Sequence, residues 1–179
     1  MRITHLTRLL RPAALATALA TALLCFGPAQ PAAADAPDLA FTVDQPVTTP
    51  GSAVSLTMTL TNNQSTDIWF VYQSVQPTWA TTQRKDLVYS FVSCTAEGAA
   101  CSGIGSTALG VDYEIPLAPG TSRTVTLTYQ VAADSGCNGT IGFYSYLYYE
   151  YDNGQSTKDG IHAMPETRVA CAPTEPAGS

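Results

Sequence analysis

Two stretches of this chain alternate apolar and hydroxyl-bearing residues almost without a break. Val54-Ser55-Leu56-Thr57-Met58-Thr59-Leu60 follows the turn Thr49-Pro50-Gly51-Ser52. Thr124-Val125-Thr126-Leu127-Thr128-Tyr129 follows a second such turn, Ala118-Pro119-Gly120-Thr121. A period of two is that of a strand with one face in a core and the other in water. The twin strands are expected to pair within one sheet. Val54, Leu56, Met58 and Leu60, with Val125, Leu127, Tyr129 and Val131, would then line the core. The threonines between them would face solvent.

Further strands are predicted over residues 39–43, 68–72, 87–92 and 140–151, and 113–117 reads as a short strand or an extended connection. A last strand is predicted over 160–171, where Pro165 marks an edge or a bulge. Residues 73–85, with Pro77 and Trp79, read as irregular, and 103–110 as a flexible loop. Asn62-Asn63-Gln64-Ser65 is a turn cluster, and Asn153-Gly154 is a tight hairpin signal. No segment carries a convincing helical period. Seven to nine short strands with frequent turns predict an all-β fold, an immunoglobulin-like antiparallel β-sandwich.

The N-terminus departs from this pattern. Arg2, Arg8 and Arg11 precede an apolar run over 13–26, and Ala32-Ala33-Ala34 offers a cleavage site before Asp35. Residues 1–34 therefore read as a secretory signal peptide. Leu24 before Cys25 does not suit lipidation. Residues 35–172 are expected to form one sandwich domain, and 173–179 a disordered tail without an anchor, so the protein is expected to be secreted. Beyond the leader only Arg84, Lys85, Arg123, Lys158 and Arg168 are basic, against all 14 acidic residues. That balance gives no footprint for nucleic acid or an anionic membrane. Two lysines against six arginines, with abundant alanine, suggest a GC-rich, actinobacterial-like genome.

Cys94, Cys101, Cys137 and Cys171 follow the leader, an even set that reads as two disulfides in an exported domain. Three pairings are possible. Cys94 with Cys101 and Cys137 with Cys171 are expected. The first closes a turn through Glu97-Gly98-Ala99-Ala100, and the second ties the start of a long strand to the C-terminal segment.

The twin strands and the first cysteine pair carry a resemblance. Pro50-Gly51 through Leu60-Thr61-Asn62-Asn63, Val92-Ser93-Cys94 to Cys101, and Leu117 through Leu127 resemble bacterial conserved-repeat immunoglobulin-like domains of secreted and cell-wall proteins. The resemblance covers roughly residues 39–131, in a single copy, and implies a structural or adhesive module without catalysis. The tyrosine-rich strand and the second cysteine pair are additions to it.

Catalytic groups are scarce. His162 is the only histidine beyond the leader, and no serine lies in a Gly-x-Ser-x-Gly context. Asp112 with Glu114, and Glu150 with Asp152, are same-face strand neighbours rather than a glycosidase pair. No Cys-x-x-Cys spacing suggests zinc, and Asp152-Asn153-Gly154 with Asp159 reads as a hairpin turn rather than a calcium loop. No enzyme activity, metal or cofactor is expected.

The segment 141–151 carries the strongest binding signal. Ile141, Phe143, Ser145, Leu147 and Tyr149 share one face, and Tyr144, Tyr146, Tyr148 and Glu150 the other. The first face is the more apolar and should point inward, which leaves three tyrosines in a row on the surface. Tyrosine is a favoured contact residue because it offers large, stiff, amphipathic area. Trp79 is the second candidate anchor. The expected partner is another secreted or surface protein, in an adaptor or structural role. A glycan of the cell wall is the alternative, and a secreted protease inhibitor presenting the Cys94–Cys101 loop a second one.

Overall fold

The computed structural model describes residues 38–172. The expected leader at 1–34 and tail at 173–179 lie outside the described residues. In chain order the elements begin with β1 (Leu39–Val43), β2 (Val47–Thr48), β3 (Ala53–Thr61) and β4 (Ile68–Pro77). A helical turn, α1 (Trp79–Gln83), leads to β5 (Tyr89–Ala96), β6 (Ala99–Ser102), β7 (Leu109–Tyr113) and β8 (Ser122–Val131). The chain continues through β9 (Gly139–Ile141), β10 (Phe143–Tyr151), β11 (Ser156–Ala163) and β12 (Thr167–Val169).

Among the described residues nine strands form two main antiparallel sheets, ordered β1-β3-β8-β5 and β11-β10-β4-β7-β6, and β2-β12-β9 form a small third sheet. The result is the expected immunoglobulin-like sandwich. The twin strands pair in register, Leu56 opposite Leu127. Their apolar residues are buried. Their hydroxyls bond across the strands: Ser55 to Thr128 at 3.3 Å, Thr57 to Thr126 at 3.3 Å, Thr59 to Thr124 at 3.1 Å and Thr61 to Ser122 at 2.8 Å. This outer face thus satisfies much of its own polarity, which lets neutral residues cover a whole sheet.

Between the sheets lies an aromatic core. Phe143 touches Phe91, Tyr129 and Tyr89 with ring centroids 5.1, 5.4 and 5.7 Å apart. Beside it a polar network is fully enclosed. Buried Gln73 donates from Nε2 to Ser145 Oγ at 2.8 Å and accepts at Oε1 from the Tyr113 hydroxyl. Both ends of the amide are held by hydrogen bonds, so its burial is tolerated.

Several boundaries differ from those read in the sequence. The segment called irregular contributes the second half of β4, because Gln73 finds side-chain partners inside the sandwich and the Ser74 backbone pairs with β10 and β7. It ends at Pro77, and the Thr78 side chain caps α1 by accepting from the Thr81 N–H. Of the two readings of 113–117 the extended connection holds, with Tyr113 ending β7 and Leu117 held by a single bridge to Ile68. β7 lies earlier, at Leu109–Tyr113, within what read as loop and connection. The single strand expected over 140–151 breaks at Gly142. There the carbonyl accepts from Thr78 N–H at 2.9 Å, and the N–H donates to Thr81 Oγ1 at 2.8 Å. The break sends β9 into the small sheet and β10 into the large one. Pro165 likewise separates β11 from β12.

The hairpin between β10 and β11 turns on Asp152 and Asn153, with φ of 55° and 54°, followed by Gly154 at 79°. Residues with short polar side chains and glycine tolerate this left-handed region.

The sandwich is closed differently along its two sides. On one side β5 and β6 belong to opposite sheets, and the Cys94–Cys101 disulfide links them. The loop after β6 adds backbone bonds, Ser106 O accepting from Phe91 N and Phe91 O from Gly105 N, both at 2.8 Å. On the other side Asp38, just before β1, accepts from the Tyr149 hydroxyl at 2.8 Å, from Lys158 Nζ on β11 at 3.1 Å and from Asn63 Nδ2 at 3.1 Å. The Cys137–Cys171 disulfide forms as expected and ties the chain before β9 to the segment after β12.

Candidate interaction face

The outer surface of the large sheet follows from strand alternation. Burial of Phe143, Ser145, Leu147 and Tyr149 turns Tyr144, Tyr146, Tyr148 and Glu150 outward on β10, as the sequence suggests. The tyrosines are half-buried and do not stand alone. Register places Tyr148 opposite Tyr72 on β4 and Asp159 on β11, and Tyr146 opposite Ser74 and Ile161. Glu150 lies opposite Phe70. The rings meet along diagonals: Phe70 with Tyr148 at 6.0 Å and 68° between planes, Tyr72 with Tyr146 at 6.1 Å and 59°. Phe70 and Tyr72 are about half exposed, and Ile161 is 73% exposed.

Phe70, Tyr72 and Ile161 are members of this face that sequence reading did not single out. A signal for the first two was present. Phe70 and Tyr72 flank Val71 with the spacing of one strand face. Ile161 had no such signal, because its place beside Tyr146 depends on the hairpin register.

The electrostatics of the face are acidic. The Tyr148 hydroxyl donates to Glu150 Oε1 at 2.8 Å, and this bond, with lesser help from burial, holds the phenol above its ordinary pKa. Trp79 stands apart at the start of α1, two residues beyond the end of β4, with 79% of its surface exposed.

The turn at the first disulfide leaves only Glu97 and Gly98 outside strands. Arg123 from β8 lies against Gly98, where an added Cβ would come 2.5 Å from its Nε. That is a tight, packed crossing between sheets rather than a protruding loop. No helix among the described residues is long and apolar enough to cross a membrane.

Fold and face together define an immunoglobulin-like β-sandwich with one hydroxyl-covered and one aromatic outer sheet. No protein-family model matches the sequence, and no curated protein matches it. Solved structures do. The sixth cohesin of scaffoldin B from Acetivibrio cellulolyticus, determined in complex with the Cel5 dockerin, aligns with a TM-score of 0.50 at 10% identity, over 76% of this chain and 100% of that one. The major pilin SpaD of Corynebacterium diphtheriae aligns at 0.49 and 10% identity, over 72% of this chain and 33% of that one. The collagen-binding domain of a Staphylococcus aureus adhesin aligns at 0.45 and 10% identity, over 74% and 99%. Of these three only the cohesin reaches 0.50, and at such identity the likeness is one of fold.

Proposed function

We propose that this chain is a secreted, non-enzymatic protein–protein interaction module, an adaptor or structural component of an extracellular or cell-surface assembly. Membership of the conserved-repeat immunoglobulin-like group and an actinobacterial origin belong to the same proposal. The observation that carries it is the aromatic sheet face, where Tyr144, Tyr146 and Tyr148 join Phe70 and Tyr72 around exposed Ile161. A sheet face exposed to water is ordinarily polar, and clustered aromatics there mark a surface that is covered by something else. The likeness in fold to a cohesin solved with its dockerin supports a protein as the occupant.

A glycan is the alternative, supported by the exposure of Trp79. Against it, the outer rings of the face meet at 68° and 59°, so they do not form a flat platform for stacked sugars. The inhibitor alternative loses support because the stapled turn is too short to present an extended reactive segment.

The test is a triple substitution of Tyr144, Tyr146 and Tyr148 by Ser, followed by capture of partners from native culture supernatant. The variant is expected to lose most of the recovery while keeping the unfolding midpoint within a few degrees. Unchanged recovery refutes the face. Retention of the wild type on chitin, cellulose or cell wall favours the glycan instead.

A further inference from the structure

We infer that the aromatic face takes a cationic partner, a protein surface in which arginine or lysine side chains interleave with apolar ones. This rests on the reading of the face as a docking surface and adds the chemistry of the occupant.

The outward positions of β11, β10, β4, β7 and β6 follow from the register. They include Asp112, Glu150 and Asp159, and no Lys, Arg or His. The cations of the described chain lie elsewhere. Lys158 has the opposite parity on β11 and turns to Asp38 at 3.1 Å. Arg84 is paired with Asp86 at 2.7 Å. Arg123 and Arg168 are on β8 and β12, and Lys85 follows α1.

The acids are placed among the rings. Asp159 lies directly opposite Tyr148, and Glu150 accepts the hydroxyl of that same tyrosine. Adjacent strands are about 5 Å apart. A cation over the Tyr148 ring therefore meets both a π-face and a carboxylate. A neutral partner covering these rings would dehydrate the carboxylates without pairing them, which is costly. An acidic partner would be repelled. Arginine suits the site best, since its planar guanidinium stacks on rings and bridges carboxylates at once.

The probe is a synthetic ten-residue peptide with Arg at alternate positions between Leu and Thr, compared with matched peptides carrying Ser or Glu in place of Arg. Binding to the secreted protein is followed by amide and ring resonances. Only the Arg peptide is expected to bind, with shifts confined to β10, β4 and β11 and affinity falling as salt rises. Glu150→Gln with Asp159→Asn is expected to weaken it about 3–10-fold, as for two partly exposed ion pairs. Equal binding of the Ser peptide, shifts on the β3–β8 face, or an unchanged affinity in the double variant overturns the inference. If the tyrosine variant loses the native partner while the acid-neutral variant keeps it at every salt concentration, the docking face stands and the cationic partner falls. If neither variant loses it, both fall.

Discussion

Removing the Tyr113 hydroxyl tests the claim that a polar network, rather than apolar packing alone, joins β4, β7 and β10 inside the sandwich. In Tyr113→Phe the ring remains and Gln73 Oε1 loses the donor that satisfies it, in a side chain that is 1% exposed. A buried acceptor left without a partner costs about 1–3 kcal/mol. For a domain of this size that lowers the melting temperature by roughly 3–10 °C. Gln73→Met has nearly the volume of the native side chain but strands two hydroxyls, those of Tyr113 and Ser145. It should cost at least as much. Once the amide is gone the Tyr113 hydroxyl is itself an unpaired buried group, so adding Tyr113→Phe to Gln73→Met should raise stability. The cycle is expected to show a coupling of about 1–3 kcal/mol. Urea unfolding followed by far-ultraviolet circular dichroism measures all four proteins, and a constant m-value keeps the comparison valid. Costs that add to within about 0.5 kcal/mol refute the network as a unit.

Three further outcomes are expected. The Cys137–Cys171 bridge spans a sequence separation of 34 and Cys94–Cys101 one of 7. Chain entropy then gives about 3.8 and about 2.4 kcal/mol, so paired Ser substitution at 137 and 171 should lower the urea midpoint more than at 94 and 101. The reverse order would mean that native contacts at the β5–β6 crossing outweigh loop closure. Partial burial pushes the Asp38 carboxyl up, but hydrogen bonds from Tyr149, Lys158 and Asn63 with the Lys158 charge outweigh it and hold the group below its ordinary value. A lowered carboxylate stabilises the fold above the unfolded pKa of about 4 and loses that contribution as pH falls through the folded value. The urea midpoint should therefore fall below about pH 4 less steeply in Asp38→Asn than in wild type, and parallel curves would count against the clasp. Burial pushes the Tyr89 and Tyr129 phenols up to about 12. Their contribution is intact below the unfolded value of about 10 and is lost as pH rises toward the folded one, so absorbance titration should show a late phase that guanidinium abolishes.

The pairing of Leu56 with Leu127 was legible because the twin strands announce themselves locally: a Pro-Gly turn, then unbroken alternation. The cysteine pairs were legible too, from turn character and position. The second half of β4 was not, because Gln73 and Ser74 look like loop residues until their partners are known. Gln73 Nε2 bonds to a residue 72 positions away, and its Oε1 to one 40 positions away. The break at Gly142 was hidden for a related reason. Apolar residues run on through it, and only the Thr78–Thr81 cap of a distant segment shows where the chain changes sheets. For the aromatic outer face, β10 could be read alone, whereas Phe70, Tyr72 and Ile161 needed the register.

The unequal fastening of the sandwich gives its native-state opening a direction. One side is a covalent spine, where β5 and β6 cannot separate while the disulfide lasts. The other is a non-covalent latch of one carboxylate, one ammonium, one amide and one phenol, in which the Lys158 ammonium is half exposed and the Tyr149 phenol buried. Brief openings should therefore begin at the latch, with β1 and β11 swinging outward and the spine staying shut. Amides of those two strands should exchange with solvent first, and acid should widen the gap between them and β8.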